Sequence, residues 1–186
     1  MTELVFCLEE ASAQAMLEGL LPRLFPDGGM VYRYITFQGK QDLEKQLLRK
    51  LRGYQNPLAK FVVLRDQDSN PDCGAVKEKL LAICIQAGRP DSLVRIACRE
   101  LETFYLADLA AVERGLGISG LVKLQATKKF RSPDYLGSPS KELGILTKGL
   151  YQKVGGSRAI GTHLDLENFR SDSFRNLVAG IRRLAH

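Results

Sequence analysis

Two aspartates one residue apart, Asp66 and Asp68, close an apolar run (Phe61-Val62-Val63-Leu64). A separate apolar run, Leu4-Val5-Phe6-Cys7-Leu8, closes in Glu9. Along extended backbone, residues two apart share a side, so Asp66 and Asp68 are expected to project together with Gln67 turned away. Carboxylates this close repel, and one tends to hold a proton unless a cation stands between them. A divalent cation favours both charged forms. Magnesium takes oxygen ligands, keeps several waters and bridges one or two carboxylates to phosphates. Bound there, it polarises a phosphoryl oxygen and makes a hydroxide nucleophile available. The plainer reading of Asp66 and Asp68 is a polar loop with a helix cap, and pairing with Glu9 is what argues against it.

Three further groups carry charge worth weighing. The segment Arg99-Glu100-Leu101-Glu102-Thr103-Phe104-Tyr105-Leu106-Ala107-Asp108 follows another strand-like run. Either Glu100 or Glu102 can add a carboxylate to the same rim, or simply favour a helix N-terminus through its dipole. On one continuous helix, Glu102 and Asp108 lie roughly 120° apart and need not share a site. Lys123, Lys128, Lys129, Arg131, Lys141, Lys148, Lys153 and Arg158 form a stretch opposed only by Asp134 and Glu142. Such a flank can hold a polyanion or be an ordinary solvated surface. Within it, Tyr151-Gln152-Lys153-Val154-Gly155-Gly156-Ser157-Arg158 has the composition of a phosphate-gripping loop, but it lacks the GxxxxGK[ST] pattern and follows no strand. His163 and His186 argue for nothing in particular, and no GxSxG or Cys-His context marks an acyl hydrolase.

The elements that must position these residues are legible from apolar spacing. Strands are expected over 4–8, 31–37, 61–64 and 93–98. Helices are expected over 11–24, from Lys40 through Leu51, over 73–87 and over 100–112. Gly19 and Pro22 suggest a kink in the first helix. Beyond Gly115 the chain is harder to read. A helix over 140–150 is expected, and a last one capped by Asp172 or Ser173, with Phe174, Leu177, Val178, Ile181 and Leu184 on its apolar side. Strands alternating with helices of this length imply an α/β fold, a mostly parallel central sheet with helices on both faces. In such sheets ligands sit outside the carboxyl ends of the strands, where Glu9 and Asp66 fall.

Composition narrows the classes. At 186 residues the chain is long enough for one domain with a full core. We expect a core over 1–114 and a basic, less regular extension over 115–186. No apolar run approaches the ~18 residues of a membrane span. Thr2 and Glu3 stand where a signal peptide would be basic, so a cytoplasmic, unprocessed chain is expected. Cys7, Cys73, Cys84 and Cys98 form no CxxC pair, which speaks against zinc and against a disulfide framework. The net charge of +6 comes mostly from residues 101–186, with 13 basic and 8 acidic side chains.

A strand-closing glutamate (Leu8-Glu9) followed by a DxD closing a later strand (Leu64-Arg65-Asp66-Gln67-Asp68) resembles the Toprim domain. That domain is shared by topoisomerases, bacterial primases and nucleases of the overcoming-lysogenization-defect type. More closely, the chain resembles a Toprim-like bacterial family known only as a domain of unknown function. Glu9, Asp66 with Asp68, the Arg99–Asp108 segment and Ser171-Asp172-Ser173-Phe174 carry that likeness across nearly the whole chain. It departs from the Toprim pattern at Glu10, where a glycine is common, and from the family's usual tryptophan at Phe104. The resemblance implies a Toprim-like fold and magnesium- or manganese-dependent phosphodiester chemistry. It also implies a setting beside AAA or ABC-like ATPases, in defence against foreign DNA.

Joined to that resemblance, the residues give a leading expectation: a magnesium-dependent nuclease acting on nucleic acid, DNA ahead of RNA. Glu9 serves as general acid/base or metal ligand and Asp66 and Asp68 as metal ligands. Glu102, with Glu100 behind it, is an accessory catalytic carboxylate. Lys128, Lys129, Arg131, Lys153 and Arg158 contact the strand. A different class is also open, a non-catalytic adaptor or sensor docked on an ATPase, which an exposed apolar patch on the last helix would favour. Nucleotidyl transfer of the primase type is a third.

Overall fold

The computed structural model describes residues 1–186. Its strands are β1 (Thr2–Leu8), β2 (Met30–Thr36), β3 (Lys60–Asp66) and β4 (Leu93–Ala97), and they form one sheet in the order β2-β1-β3-β4. Every neighbouring pair is parallel. Parallel neighbours need long crossovers, and α1 (Ala11–Leu24), α2 (Lys40–Arg52) and α3 (Cys73–Gln86) lie between successive strands. The central strands are covered on both sides, which is why β1 and β3 read as unbroken apolar runs rather than alternating ones. Alternation instead divides their side chains between two cores. Leu4, Phe6, Leu8, Val62 and Leu64 enter the larger one with α1 and the C-terminal helices. Val5, Cys7, Phe61 and Val63 enter the smaller one with Leu43, Leu47 and Leu51 of α2 and Val76, Leu80 and Cys84 of α3. The expected α/β architecture, with a parallel sheet and helices on both faces, is the one observed.

The differences lie at element ends and beyond Ala97. Strand β3 runs on to Asp66, so this carboxylate belongs to the strand itself. Helix α1 passes through Gly19 and Pro22 without a break. The single helix expected over 100–112 is two, α4 (Glu102–Leu106) and α5 (Leu109–Leu116). Asp108 divides them. Its Oδ1 accepts from Ala111 N at 3.0 Å, which caps α5, and its Oδ2 accepts from Asp165 N at 2.7 Å. A short acidic side chain that captures backbone N–H groups ends one helix and starts the next.

Short 3-10 turns at Val122–Leu124 and Pro133–Tyr135 lead to α6 (Pro139–Leu146), α7 (Lys153–Gly161) and α8 (Asp172–Ala185). Ser171, rather than Asp172 or Ser173, caps α8, its Oγ accepting from Phe174 N at 3.1 Å. Phe174, Leu177, Val178 and Ile181 are buried in the larger core, so the last helix offers no exposed apolar patch. Leu121, Phe130, Leu143, Ile160 and Leu164 join the same cluster as Leu4 and Phe6, so the C-terminal stretch packs onto the sheet. No helix is long and apolar enough to cross a membrane.

The stretch from Tyr151 to Arg158 is not a phosphate-gripping loop. It is the start of α7, packed along α1. Its glycines serve close approach: a Cβ at Gly156 would stand 2.5 Å from the Tyr151 ring, and one at Gly161 would stand 2.5 Å from the Met16 carbonyl oxygen. Gly19 meets α7 from the other side, where a Cβ would lie 2.7 Å from Thr162 N.

Candidate functional site

Parallel register brings the carboxyl ends of β1 and β3 side by side, with Leu8 opposite Leu64. Glu9 therefore reaches across to the last residue of β3. Its Oε2 accepts from the backbone N–H of Asp66 at 3.1 Å, and its own N–H donates to Leu64 O at 3.3 Å. Glu9 is buried, and that burial raises its carboxyl above the ordinary range. The Asp66 N–H works the other way, while Asp68 and Glu10 add repulsion. Asp66 is raised further. Burial is the largest cause, followed by the charges of Glu9 and Glu102, against one favourable backbone N–H from Leu101.

Glu102, in the first turn of α4, completes the group and is also buried. Its Oε1 accepts from the Tyr151 hydroxyl at 2.9 Å, and the Tyr151 oxygen lies 3.2 Å from Ser157 Oγ. Burial raises Glu102 as well, moderated by its own backbone N–H, by Tyr151 and by Lys153. Glu100 is occupied elsewhere, its Oε2 accepting from Ser140 N at 2.6 Å. Of the two glutamates considered from sequence, Glu102 therefore faces Asp66, while Glu100 ties down the start of α6.

Asp68 departs from the expectation. It lies past the end of β3 with φ of 55°, in the left-handed region that aspartate tolerates better than most residues. Strand alternation no longer applies there, so Asp66 and Asp68 do not project as neighbours on one strand face. Asp68 Oδ2 instead pairs with Lys40 Nζ at 3.1 Å, at the flank of the rim. Gln67 turns away as expected, its Nε2 donating to Asn70 O at 2.8 Å. As the side chains lie, no three acidic, imidazole or thiol groups stand close enough to share one ion.

The donor set nevertheless suits a hard cation. It is all oxygen, it carries several buried like charges, and magnesium itself requires only one or two direct carboxylates. The raised carboxyls of Glu9, Asp66 and Glu102 are what such a group does when no cation offsets it.

The basic residues divide. Lys153 stands at the rim, where its Nζ meets Glu10 Oε2 at 2.9 Å. Burial opposes its charge, but Glu10, Glu102 and Asp66 outweigh that and raise it. Lys129 pairs with Glu142 at 2.6 Å and Arg158 with Glu18 at 2.9 Å, so the charges of both are largely offset. Lys128 and Arg131 are exposed on the segment between the two 3-10 turns.

Sequence reasoning passed over Lys40, Tyr151 and Ser157. Lys40 had a signal. It follows the turn Gln38-Gly39, directly after β2, and so belongs on the rim of any parallel sheet in which β2 neighbours β1. Gly39 makes that turn with φ of 95°, and its N–H bonds Glu9 O at 3.0 Å. Tyr151 had none, because only packing of the C-terminal stretch brings it to Glu102.

A four-stranded parallel sheet in this order, with acids at its carboxyl rim, has the form of a Toprim-like α/β domain. The chain belongs to the family described as a domain of unknown function (DUF4276), whose model matches residues 8–182. Among solved structures, the C-terminal region of the Burkholderia pseudomallei OLD protein has a similar fold, with a TM-score of 0.55 at 16% identity over 98% of each chain. No curated protein matches significantly.

Proposed function

We propose that this chain hydrolyses nucleic-acid phosphodiesters with the help of magnesium or manganese, DNA ahead of RNA. The hydrogen bond from Asp66 N to Glu9 Oε2 at 3.1 Å carries the reading, since it holds two strand-closing carboxylates together beside the buried Glu102. A divalent ion held by Asp66 and Glu9, with Asp68 joining them only on release from Lys40, would polarise a phosphoryl oxygen and lower the pKa of bound water.

The chain's own groups supply the rest. Beside the end of β3 and raised above its ordinary range by burial, the Glu9 carboxyl would be placed to give a proton to a leaving oxygen or take one from water. Tyr151 fixes Glu102 in place, and Lys153 sets a positive charge at the rim where a phosphate would approach. Lys128 and Arg131, free to turn, would add diffuse attraction for a polyanion. The family resemblance supports a partner ATPase of the AAA or ABC-like type and a part in defence against foreign DNA.

The test is cleavage of plasmid DNA and of RNA in magnesium or manganese, comparing wild type with the Asp66→Ala, Asp68→Ala double variant. Cleavage by wild type that the double variant lacks supports the reading. Equal cleavage by both defeats it.

A further inference from the structure

The end of β3 separates two territories. Asp66 belongs to the carboxylate rim, whereas Gln67 lines a groove of about 740 Å3 along the outer edge of β4. One wall is the first turns of α3, with Cys73 and Lys77, and the other is the start of α8, with Asn176. Arg99 enters from the β4 end, and its carbonyl accepts from Asp68 N at 2.8 Å, which ties the groove to the flank of the rim. Tyr135 stands at the lip, 86% exposed, with nothing covering its ring.

The charges in this groove are unequally committed. Of its acids, Asp172 pairs with Arg175 at 2.7 Å, whereas Asp134 accepts only from neutral donors, Ser171 Oγ at 2.6 Å and Ser173 N at 2.9 Å, and keeps its charge. Lys77 and Arg99 take part in none of the ion pairs of the molecule. Arg95 is likewise in no ion pair, so three cations line the groove against the one unneutralised acid, Asp134, and the balance is positive.

A peptide strand added to β4 fits poorly. Arg95 spans that edge, its Nη1 donating to Val94 O and its Nε to Asn176 O, both at 2.9 Å. An added strand would have to displace it. An occupant that uses a cation and a bare aromatic face without needing the strand edge fits better. A single-stranded nucleic acid has that chemistry, with phosphates for the cations and an unstacked base for the ring.

We propose that this groove holds a single-stranded segment of the substrate, one base stacked on Tyr135 and its backbone phosphates against Arg99 and Lys77. A duplex keeps its bases stacked on one another and leaves none for the ring. The proposal rests on the phosphodiester reading of the adjacent rim and names the form of substrate that reaches it.

The experiment is fluorescence anisotropy with a short labelled oligothymidylate in EDTA, where binding is read without cleavage. Tyr135→Ala, at an exposed position where the fold is expected to survive, should weaken binding roughly tenfold. The Lys77→Ala, Arg99→Ala pair should flatten the slope of log affinity against log salt by about 1.4, for two lost phosphate contacts. A duplex of equal length should bind more weakly than the single strand.

Cys73, the one exposed cysteine, gives an independent reading of occupancy; Cys98 lines the same groove but is half-buried, with burial pushing its thiol up to about 11, and Cys7 and Cys84 are buried. The oligonucleotide should slow alkylation of Cys73 in wild type and not in Tyr135→Ala. Oligonucleotide binding with no cleavage by wild type would defeat the catalytic reading alone. Tyr135→Ala binding as tightly as wild type, or Cys73 alkylating at one rate with and without oligonucleotide, overturns the groove.

Discussion

The carboxylate rim and the basic C-terminal stretch both stood out in the sequence as concentrations of one sign of charge, and the fold treats them in opposite ways. At the rim, Glu9, Asp66 and Glu102 are drawn together in partial or full burial; desolvation raises all three carboxyls, and the charges of Glu9 and Glu102 raise Asp66 further. In the basic stretch, Lys129 and Arg158 are spent on Glu142 and Glu18, and the glycines around Ser157 let α7 pack against its neighbours. Buried charge without an opposing partner is costly, and a fold that keeps it without a use loses stability. Compensated charge on a surface contributes little either way. The comparison therefore separates a place where charge waits for something from a place where charge completes the structure.

Removing the waiting charge should have the largest effect. The Asp66→Ala, Asp68→Ala variant is expected to lose metal-dependent cleavage by at least about a hundredfold, on the order of 2.7 kcal/mol in the barrier. Its thermal midpoint in EDTA should change by only a few degrees, because relief of the repulsion that Glu9 and Glu102 exert on Asp66 offsets loss of the exposed Asp68–Lys40 pair and the strain of alanine at a φ of 55°. A midpoint that drops by many degrees would mean that the rim is structural.

Metal should repair the rim. Carboxyls raised in the folded state hold more protons there than in the unfolded chain. The share of stability that these three groups supply without metal is therefore fully present below the ordinary carboxylate range and is lost as pH climbs through the raised values of Glu9, Asp66 and Glu102. Magnesium should offset that decline at neutral pH, by about 2.7 kcal/mol at a hundred times its dissociation constant. Calorimetry across pH, with magnesium and with EDTA, reads both. A flat profile in EDTA breaks the contrast.

The packing role of the C-terminal glycines predicts a loss of another kind. Gly161→Ala pushes a methyl group against the Met16 backbone and should destabilise the fold by roughly 1–3 kcal/mol in urea unfolding. Nucleic-acid affinity per folded molecule should not change.

A smaller change sharpens the boundary between the two regions. Tyr151→Phe removes the hydroxyl that donates to Glu102 at 2.9 Å and should cost about 1 kcal/mol of stability. It should also move the pH profile of cleavage toward higher values, since Glu102 loses a bond that favours its charged form. A profile that stays in place would show that Glu102 does not couple to the reaction.

The least effect is expected in the compensated region. Lys129→Ala and Arg158→Ala should each alter stability by less than about 0.5 kcal/mol in the same unfolding measurement. A larger change, or a tenfold loss of DNA affinity, would return these two residues to the strand-binding set.

How much was legible can be judged residue by residue. Glu9 and Asp66 were legible because each closes an apolar run, and a parallel sheet places strand ends on one rim whatever the crossovers contain. The stretch over 100–112 misread because Asp108 looked like one more helical residue. Its capping of Ala111 N is local and an aspartate there could have been read as a cap, whereas its capture of Asp165 N depends on a segment more than fifty residues away. The segment from Tyr151 to Arg158 misread because paired glycines suit both a loop and a tightly packed helix, and composition does not distinguish them.

The sequence by itself determined the alternation of strands and helices, the parallel sheet and the strand ends that carry acid, because these follow from periods of two and about four residues along a local stretch. Only the tertiary structure decided that Glu102 rather than Glu100 joins Asp66 and that Asp68 turns toward Lys40. It alone brought Tyr151 under the rim and opened a groove with an uncovered tyrosine beside β4. Those choices rest on which distant side chains share a desolvated space. Their energies depend on burial and on separation in three dimensions, which no local pattern records.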